Sequence, residues 1–192
     1  MQTGEPVLRE EARIITPAEI LSEEIQRLIH DMRDAMREAP GVGLAAPQIG
    51  QPLQLAVIED REDLLKGYDA ADLAERERRA VPFHVIINPV IAYRSDETKN
   101  FYEGCLSLPG FSAVVPRART VRVEYLDERA QSQFVQATGW YARILQHEID
   151  HLHGALYIDR MQSRTFTTLD NWTRLHKGKP IPQSLPGAPK ET

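Results

Sequence analysis

Between Thr138 and Gly154 the chain carries an apolar helix pattern interrupted by ionisable side chains, and few folds can accommodate such an element. Tyr141, Ile144, Leu145, Ile149 and Leu152 recur at helical spacing, and Gly154 supplies a stop. Set among them are His147, Glu148, Asp150 and His151. Histidines on an otherwise apolar helix need polar partners. The helix must therefore lie inside other elements that bring those partners to it.

The rest of the chain offers such elements. Thr16-Pro17-Ala18-Glu19 combines a hydroxyl cap, a proline at the first helical position and a glutamate that closes a capping box. Ile25, Leu28, Ile29, Met32 and Met36 follow, which predicts one amphipathic helix running to Ala39-Pro40-Gly41. Strand patterns cover residues 53–59, 84–93 and 120–126, the last with Val121, Val123 and Tyr125 alternating with Arg122 and Glu124. Residues 133–137 are expected to pair with it as a hairpin across 127–132. Residues 61–80 are dense in charge and read as a solvated helix or loop insertion. The expected fold is α+β, with mainly antiparallel sheets packed around a central helix carrying the histidine motif. It is expected as one domain over residues 1–176, followed by an irregular tail over 177–192 that holds Pro180, Pro182, Pro186 and Pro189.

A length of 192 residues suits one domain with a good core. The formal net charge of −5 argues against a dedicated DNA or RNA binder, though a local patch can still dock on a ribosome. No apolar run approaches the roughly 20 residues of a membrane span, so no membrane partner is expected. Residues 1–11 are polar and acidic, unlike a secretory signal or an Arg-rich transit peptide. A cytoplasmic protein is expected, with the mature form of an organellar one as the alternative. The single cysteine, Cys105, forbids an intrachain disulfide and fits a reducing compartment.

The chemistry starts at His147-Glu148-Ile149-Asp150-His151. Residues four apart share a helix face, so both histidines can present ring nitrogens to one metal ion. Glu148 lies about 100° around the helix from His147, poorly placed as a ligand but within reach of a water in the site. Two imidazoles leave a catalytic tetrahedral site one protein ligand short. A metzincin protease would place a third histidine where Tyr157 stands. The lone thiol in Glu103-Gly104-Cys105-Leu106-Ser107 is another source, and Cys/His/His is a legitimate first-row metal set with a position left for water. On its own, Cys105 reads more readily as a small buried hydrophobe than as a ligand. The segment Gly41-Val42-Gly43-Leu44-Ala45-Ala46-Pro47-Gln48 lets another backbone approach closely, with the Gln48 amide beside that surface. Taken alone, it is a turn between helix and strand.

Together these three segments resemble the peptide deformylase family, whose signatures are G-φ-G-φ-A-A-P-Q, E-G-C-φ-S and Q-H-E-φ-D-H, with φ apolar. They stand here at residues 41–48, 103–107 and 146–151, in the same order. The likeness runs from about Gly4 to about Phe166. Residues 139–143 and 158–166 are most similar to the branch of eukaryotic organelles that also occurs in bacteria. The resemblance implies that Cys105, His147 and His151 hold one divalent ion, with Fe2+ preferred and Zn2+, Ni2+ or Co2+ able to substitute. It implies Glu148 as general base, with Gln48 and the Leu106 N–H stabilising the oxyanion. Gly41, Val42, Gly43, Leu44, Gly104 and Arg143 would contact substrate. The implied reaction removes formyl groups from N-formylmethionyl nascent chains at the ribosome exit and releases formate.

The resemblance also suggests a Glu103–Arg117 ion pair behind the cysteine, and a role for Asp150 in orienting a ligand imidazole or as a surface charge. Many bacterial members carry an apolar residue where Arg143 stands, near the pocket for the first side chain. An inward guanidinium there bears on methionine selectivity, and an outward one does not. His30, His84, His153 and His176 are assigned no function. Competing readings are a zinc endopeptidase built on the same pentad and an interaction module with a structural metal.

Overall fold

The computed structural model describes residues 1–39 and 41–181. Pro40 and most of the Pro-rich tail lie outside them, including Pro182, Pro186 and Pro189. The expected N-terminal helix is two helices, α1 (Pro17–Ile20) and α2 (Glu23–Glu38). The Thr16–Glu19 capping box forms, but Ser22 re-caps the chain by accepting the Ile25 N–H at 3.3 Å. A second cap so soon after the first separates the two helices.

A five-stranded antiparallel sheet follows the order β1 (Gly43–Ala45), β2 (Leu55–Asp60), β3 (Val81–Arg94), β6 (Thr120–Leu126) and β7 (Ser132–Thr138). The strands expected at 53–59, 84–93 and 120–126, and the hairpin at 127–132, correspond to β2, β3, β6 and the β6–β7 turn. A second antiparallel sheet contains β4 (Thr98–Cys105), β5 (Leu108–Ala118) and the two-residue β8 (Thr167–Thr168). Helix α5 (Gly139–Leu152) packs against strands of both sheets. No helix among the described residues is long and apolar enough to cross a membrane.

The larger sheet is covered on both faces, which explains the unbroken apolar run in β2. Leu55 and Val57 join Ile25, Ile29, Met32 and Met36 of α2 in one core. Ala56 and Ile58 turn the other way and join Ile144, Leu145, Ile149 and Leu152 of α5 in another. Successive strand residues face opposite sides, so a sheet between two helices buries every position. Each fully buried Leu or Ile contributes about 1.5–3 kcal/mol.

Residues 61–80 form α3 (Glu62–Leu65) and α4 (Ala70–Glu75), but the segment is not merely a solvated insertion. Arg78 is 7% exposed and forks onto Asp60 at 2.8 and 2.9 Å. The Trp140 N–H donates to the Arg76 carbonyl at 2.9 Å, so the segment docks on the first turn of α5. Gly139 allows that approach: its φ is +60°, and an added Cβ would lie 2.6 Å from Arg76 O. Gly139→Ala combines a disfavoured backbone with a clash, and should lower unfolding stability by about 2 kcal/mol or more. Urea denaturation read by tryptophan fluorescence checks it; an unchanged midpoint would show that the segment is not anchored here.

Candidate metal centre

Strand β4 ends at Cys105, and the chain turns through Leu106 and Ser107 into β5, whose Leu108 pairs back with Cys105. The Ser107 N–H donates to Cys105 Sγ at 3.4 Å, and Gln48 Nε2 approaches the same sulfur at 3.5 Å. On α5, His147 and His151 stand one turn apart with ring centroids 5.0 Å apart and planes at 77°. The ligating atoms of Cys105, His147 and His151 lie within 4.8 Å of one another, with Sγ 3.2 Å from His151 Nε2. This donor set fits a first-row divalent ion in chemistry and in number.

Glu103, two residues before the cysteine, holds the centre from behind. Its carboxylate accepts Nε and Nη2 of Arg117, each at 3.0 Å, and Nη1 of Arg143 at 2.5 Å. His147 Nδ1 lies 3.0 Å from Glu103 Oε2. A proton donated there leaves Nε2 as the free lone pair, the usual way a carboxylate orients a ligand imidazole. Asp150 does not orient an imidazole; it pairs with Arg117 Nη1 and takes Arg160 Nε and Nη2 at 2.6 and 2.7 Å. Burial opposes the charge on Glu103, but Arg117, the His147 hydrogen bond and Arg143 outweigh it and hold the carboxyl well below its ordinary range. Burial alone would depress His147, yet Cys105 and Glu103 raise it well above its ordinary value, so the surroundings favour positive charge at this point. Burial and the neighbouring cations push His151 down, which keeps its ring neutral.

Arg143 faces neither substrate with a free guanidinium nor solvent. Besides Glu103, it donates to the Val115 and Lys99 carbonyls at 2.9 and 2.6 Å. It forms part of the cavity wall while its donors face the protein.

The cavity beside the three ligands has a volume of about 490 Å³. Gly41, Val42, Gly43, Gln48, Gly104 and Leu106 line it together with Cys105, His147 and Glu148. Leu44 is buried in the core against α2, so its side chain lies off the cavity. Glu148 is 4% exposed and its Oε2 has no hydrogen-bond partner among the described residues. Burial pushes its carboxyl up to about 7, with His147 working in the opposite direction. Gln48 is oriented by the Ala45 N–H, which donates to Oε1 at 2.8 Å and turns Nε2 toward Cys105 and Ser107. Gly43 has a role beyond backbone contact: an added Cβ would stand 2.2 Å from Glu148 Oε1 and 2.6 Å from its Cδ. Its missing side chain is the space that the glutamate occupies.

Tyr68, Arg78, Tyr102 and Trp140 also line the cavity and were not singled out as site residues from sequence. Tyr68 and Arg78 belong to the charge-rich segment 61–80, whose composition resembles a solvated surface. Tyr102 lies in a strand without clean alternation, and Trp140 has only its place two turns before His147 to mark it.

A family model described as polypeptide deformylase matches residues 1–167. Peptide deformylase 1A of Arabidopsis thaliana, chloroplastic/mitochondrial, is 50% identical over 169 residues, covering 88% of this chain and 63% of the relative. The chain thus spans less than two thirds of that plant relative. Peptide deformylase 1 of Bifidobacterium longum is 45% identical over 184 residues, covering 95% of this chain and 81% of the relative. Among solved structures, a peptide deformylase of Synechococcus elongatus in complex with actinonin superposes with a TM-score of 0.71 at 38% identity. It covers 85% of this chain and 78% of its own. The Met-Ala-Ser-bound class I type b enzyme of Acinetobacter baumannii gives 0.74 at 31% identity, covering 83% and 95%. With the family model matched over most of its length, the chain belongs to the polypeptide deformylase family.

Proposed function

We propose that this protein removes the formyl group from N-formylmethionyl termini of nascent polypeptides by metal-dependent hydrolysis, releasing formate. The observation that carries this reading is the convergence of Cys105, His147 and His151 beside a cavity lined by Glu148, whose Oε2 is buried without a partner among the described residues. In this reading α5 is the central element of one catalytic domain over residues 1–176. Fe2+ is the proposed native ion. Zn2+, Ni2+ and Co2+ suit the same thiolate and imidazoles. Nascent chains at the ribosome exit are the proposed partners, in a bacterial cytoplasm or, alternatively, an organelle.

When bound, the divalent ion supplies Lewis-acid polarisation and lowers the pKa of water to near neutrality. The chain's own residues account for the rest. Glu148 takes the proton of the attacking water and returns it to the departing amine. Gln48 Nε2 and the Leu106 N–H stabilise the oxyanion that forms at the formyl carbon. Losing one such donor typically costs about 3 kcal/mol of barrier. Strand β1 is an edge of the larger sheet, so a substrate backbone can pair along residues 41–44 as an added strand. Such pairing tolerates many sequences beyond the first residue. The Acinetobacter relative is described with Met-Ala-Ser bound, a tripeptide with the methionine terminus that deformylation leaves. An endopeptidase using only the pentad gives no task to Cys105, although its sulfur lies 3.2 Å from His151 Nε2.

Formate release from formyl-Met-Ala-Ser, measured together with bound metal, tests this reading. Cys105→Ser should lose metal or change the preferred ion, because an alcohol ligates far more weakly than a thiolate. Glu148→Ala should keep its metal yet lose about 10²-fold or more in kcat. Full metal and activity in the first variant, or a metal-free second variant, contradicts the assigned roles.

The contact between Gly43 and Glu148 makes a separate prediction. Gly43→Ala should retain metal but lower kcat by about 10²-fold, because the new methyl displaces the base. Adding Glu148→Asp, one methylene shorter, should recover part of that loss. If the double variant is no better than Gly43→Ala alone, the glycine does not act by making room for Glu148.

A further inference from the structure

The segment 61–80 has no part in the chemistry proposed above, yet it forms one wall of the cleft. The Arg76 guanidinium lies 4.9 Å from the Phe101 ring centroid and 5.1 Å from that of Trp140. Arg78, held from behind by Asp60, covers Tyr68 at 4.7 Å and Trp140 at 5.4 Å. These cations stack on aromatic faces and carry Tyr68 to the edge of the cleft.

Beyond Tyr68 lies a second cavity of about 210 Å³, enclosed by Asp72 and Arg76 on one side and Trp172 and His176 on the other. Tyr68 and Tyr102 line both cavities, so these two residues stand where the cavities adjoin. Tyr102 is braced by Trp172 and His176, with ring centroids 6.2 and 5.5 Å away. Tyr68 follows Gly67 in the turn between α3 and α4 and is 37% exposed.

The helix measures where this junction falls. His147, Arg143 and Trp140 follow one another along one side of α5, and all line the cleft. Seven helical residues rise about 10 Å, longer than a formylmethionine extended over the six bonds from formyl carbon to terminal methyl but shorter than a side chain several atoms longer. Arg78 and Tyr68 stand at the Trp140 end, where such a side chain would finish.

We propose that Tyr68 sets the far limit of the pocket for the first substrate side chain, closing the cleft off from the second cavity and so favouring methionine-length side chains over longer ones. The proposal rests on the deformylase reading above. The test follows formate release by metal-loaded wild type, Tyr68→Ala, Tyr68→Leu and Tyr68→Phe. The substrates are formyl-Met-Ala-Ser and a formyl peptide beginning with 2-aminononanoic acid, whose straight side chain is about three atoms longer. A single methylene in an apolar pocket shifts discrimination by about 10-fold or more. Tyr68→Ala should therefore raise the long-to-methionine ratio of kcat/KM by at least about 10-fold, chiefly through a lower KM for the long peptide. Tyr68→Leu should fall between, and Tyr68→Phe should keep the wild-type ratio. If Tyr68→Ala does not fold, Tyr68→Leu decides. An unchanged ratio in the folded variants overturns the proposal while leaving the deformylase reading intact. A wild type that releases no formate from the methionine peptide overturns both.

Discussion

The buried carboxylate of Glu103 is the interaction on which the rest of the centre depends. It accepts four hydrogen bonds from three side chains, Arg117, Arg143 and His147. Removing one partner of such a buried ion pair typically costs about 3–5 kcal/mol, because the remaining charge is left unpaired. The interaction also sets spacing. Two residues of strand carry the chain about 6.6 Å from Glu103 to Cys105, and four residues of helix rise about 6 Å from His147 to His151. With Glu103 fixed on His147, the cysteine arrives beside the second histidine. The pairing of β4 with β5 shifts register between Glu103 and Cys105, which adjusts the final placement of the sulfur.

The two sheets divide the remaining work. The larger one, covered by α2 and α5, holds the helix in place and offers β1 as an edge beside Glu148. The smaller one brings Cys105 and Glu103 from the opposite side. Gln146 joins α5 to the end of β5: its Oε1 accepts the Ala118 N–H at 3.1 Å, and its Nε2 donates to Ala118 O at 2.9 Å. Among the described residues of the centre, Glu148 Oε2, His151 Nδ1 and the Tyr157 hydroxyl are buried without a partner, while Glu103, Arg117, Arg143 and Asp150 are all paired. Glu148 itself is one of the residues that line the cavity.

Much of this was legible in the sequence because its signals are local. The spacing of His147 and His151 places two imidazoles on one helix face whatever surrounds them, and the alternation of residues 120–126 identifies β6 without its neighbours. The third ligand was different. Nothing in the spacing connects Cys105 to histidines more than 40 residues later; only the likeness to a known family made that link. β4 went unread because its buried positions, which fall on both faces, include Asn100 and Glu103 and break the apolar alternation. The segment 61–80 looked solvated because Arg76 and Arg78 are neutralised or stacked by residues outside it, Asp60, Phe101 and Trp140. The break at Leu21 and Ser22 was hidden by an apolar pattern that continues across it. In each case the missing information lay in tertiary partners rather than in propensity.

The account stands most directly on one divalent ion being held by one sulfur and two imidazoles. X-ray absorption spectroscopy of the zinc-loaded protein measures that shell. It should show a single sulfur at about 2.3 Å and two imidazole nitrogens at about 2.0–2.1 Å, with one further light ligand. Replacing Cys105 by Ser should remove the sulfur contribution entirely. A first shell of nitrogen and oxygen alone in the unaltered protein would contradict the account, since it would leave Cys105 outside the centre and the register set by Glu103 without consequence.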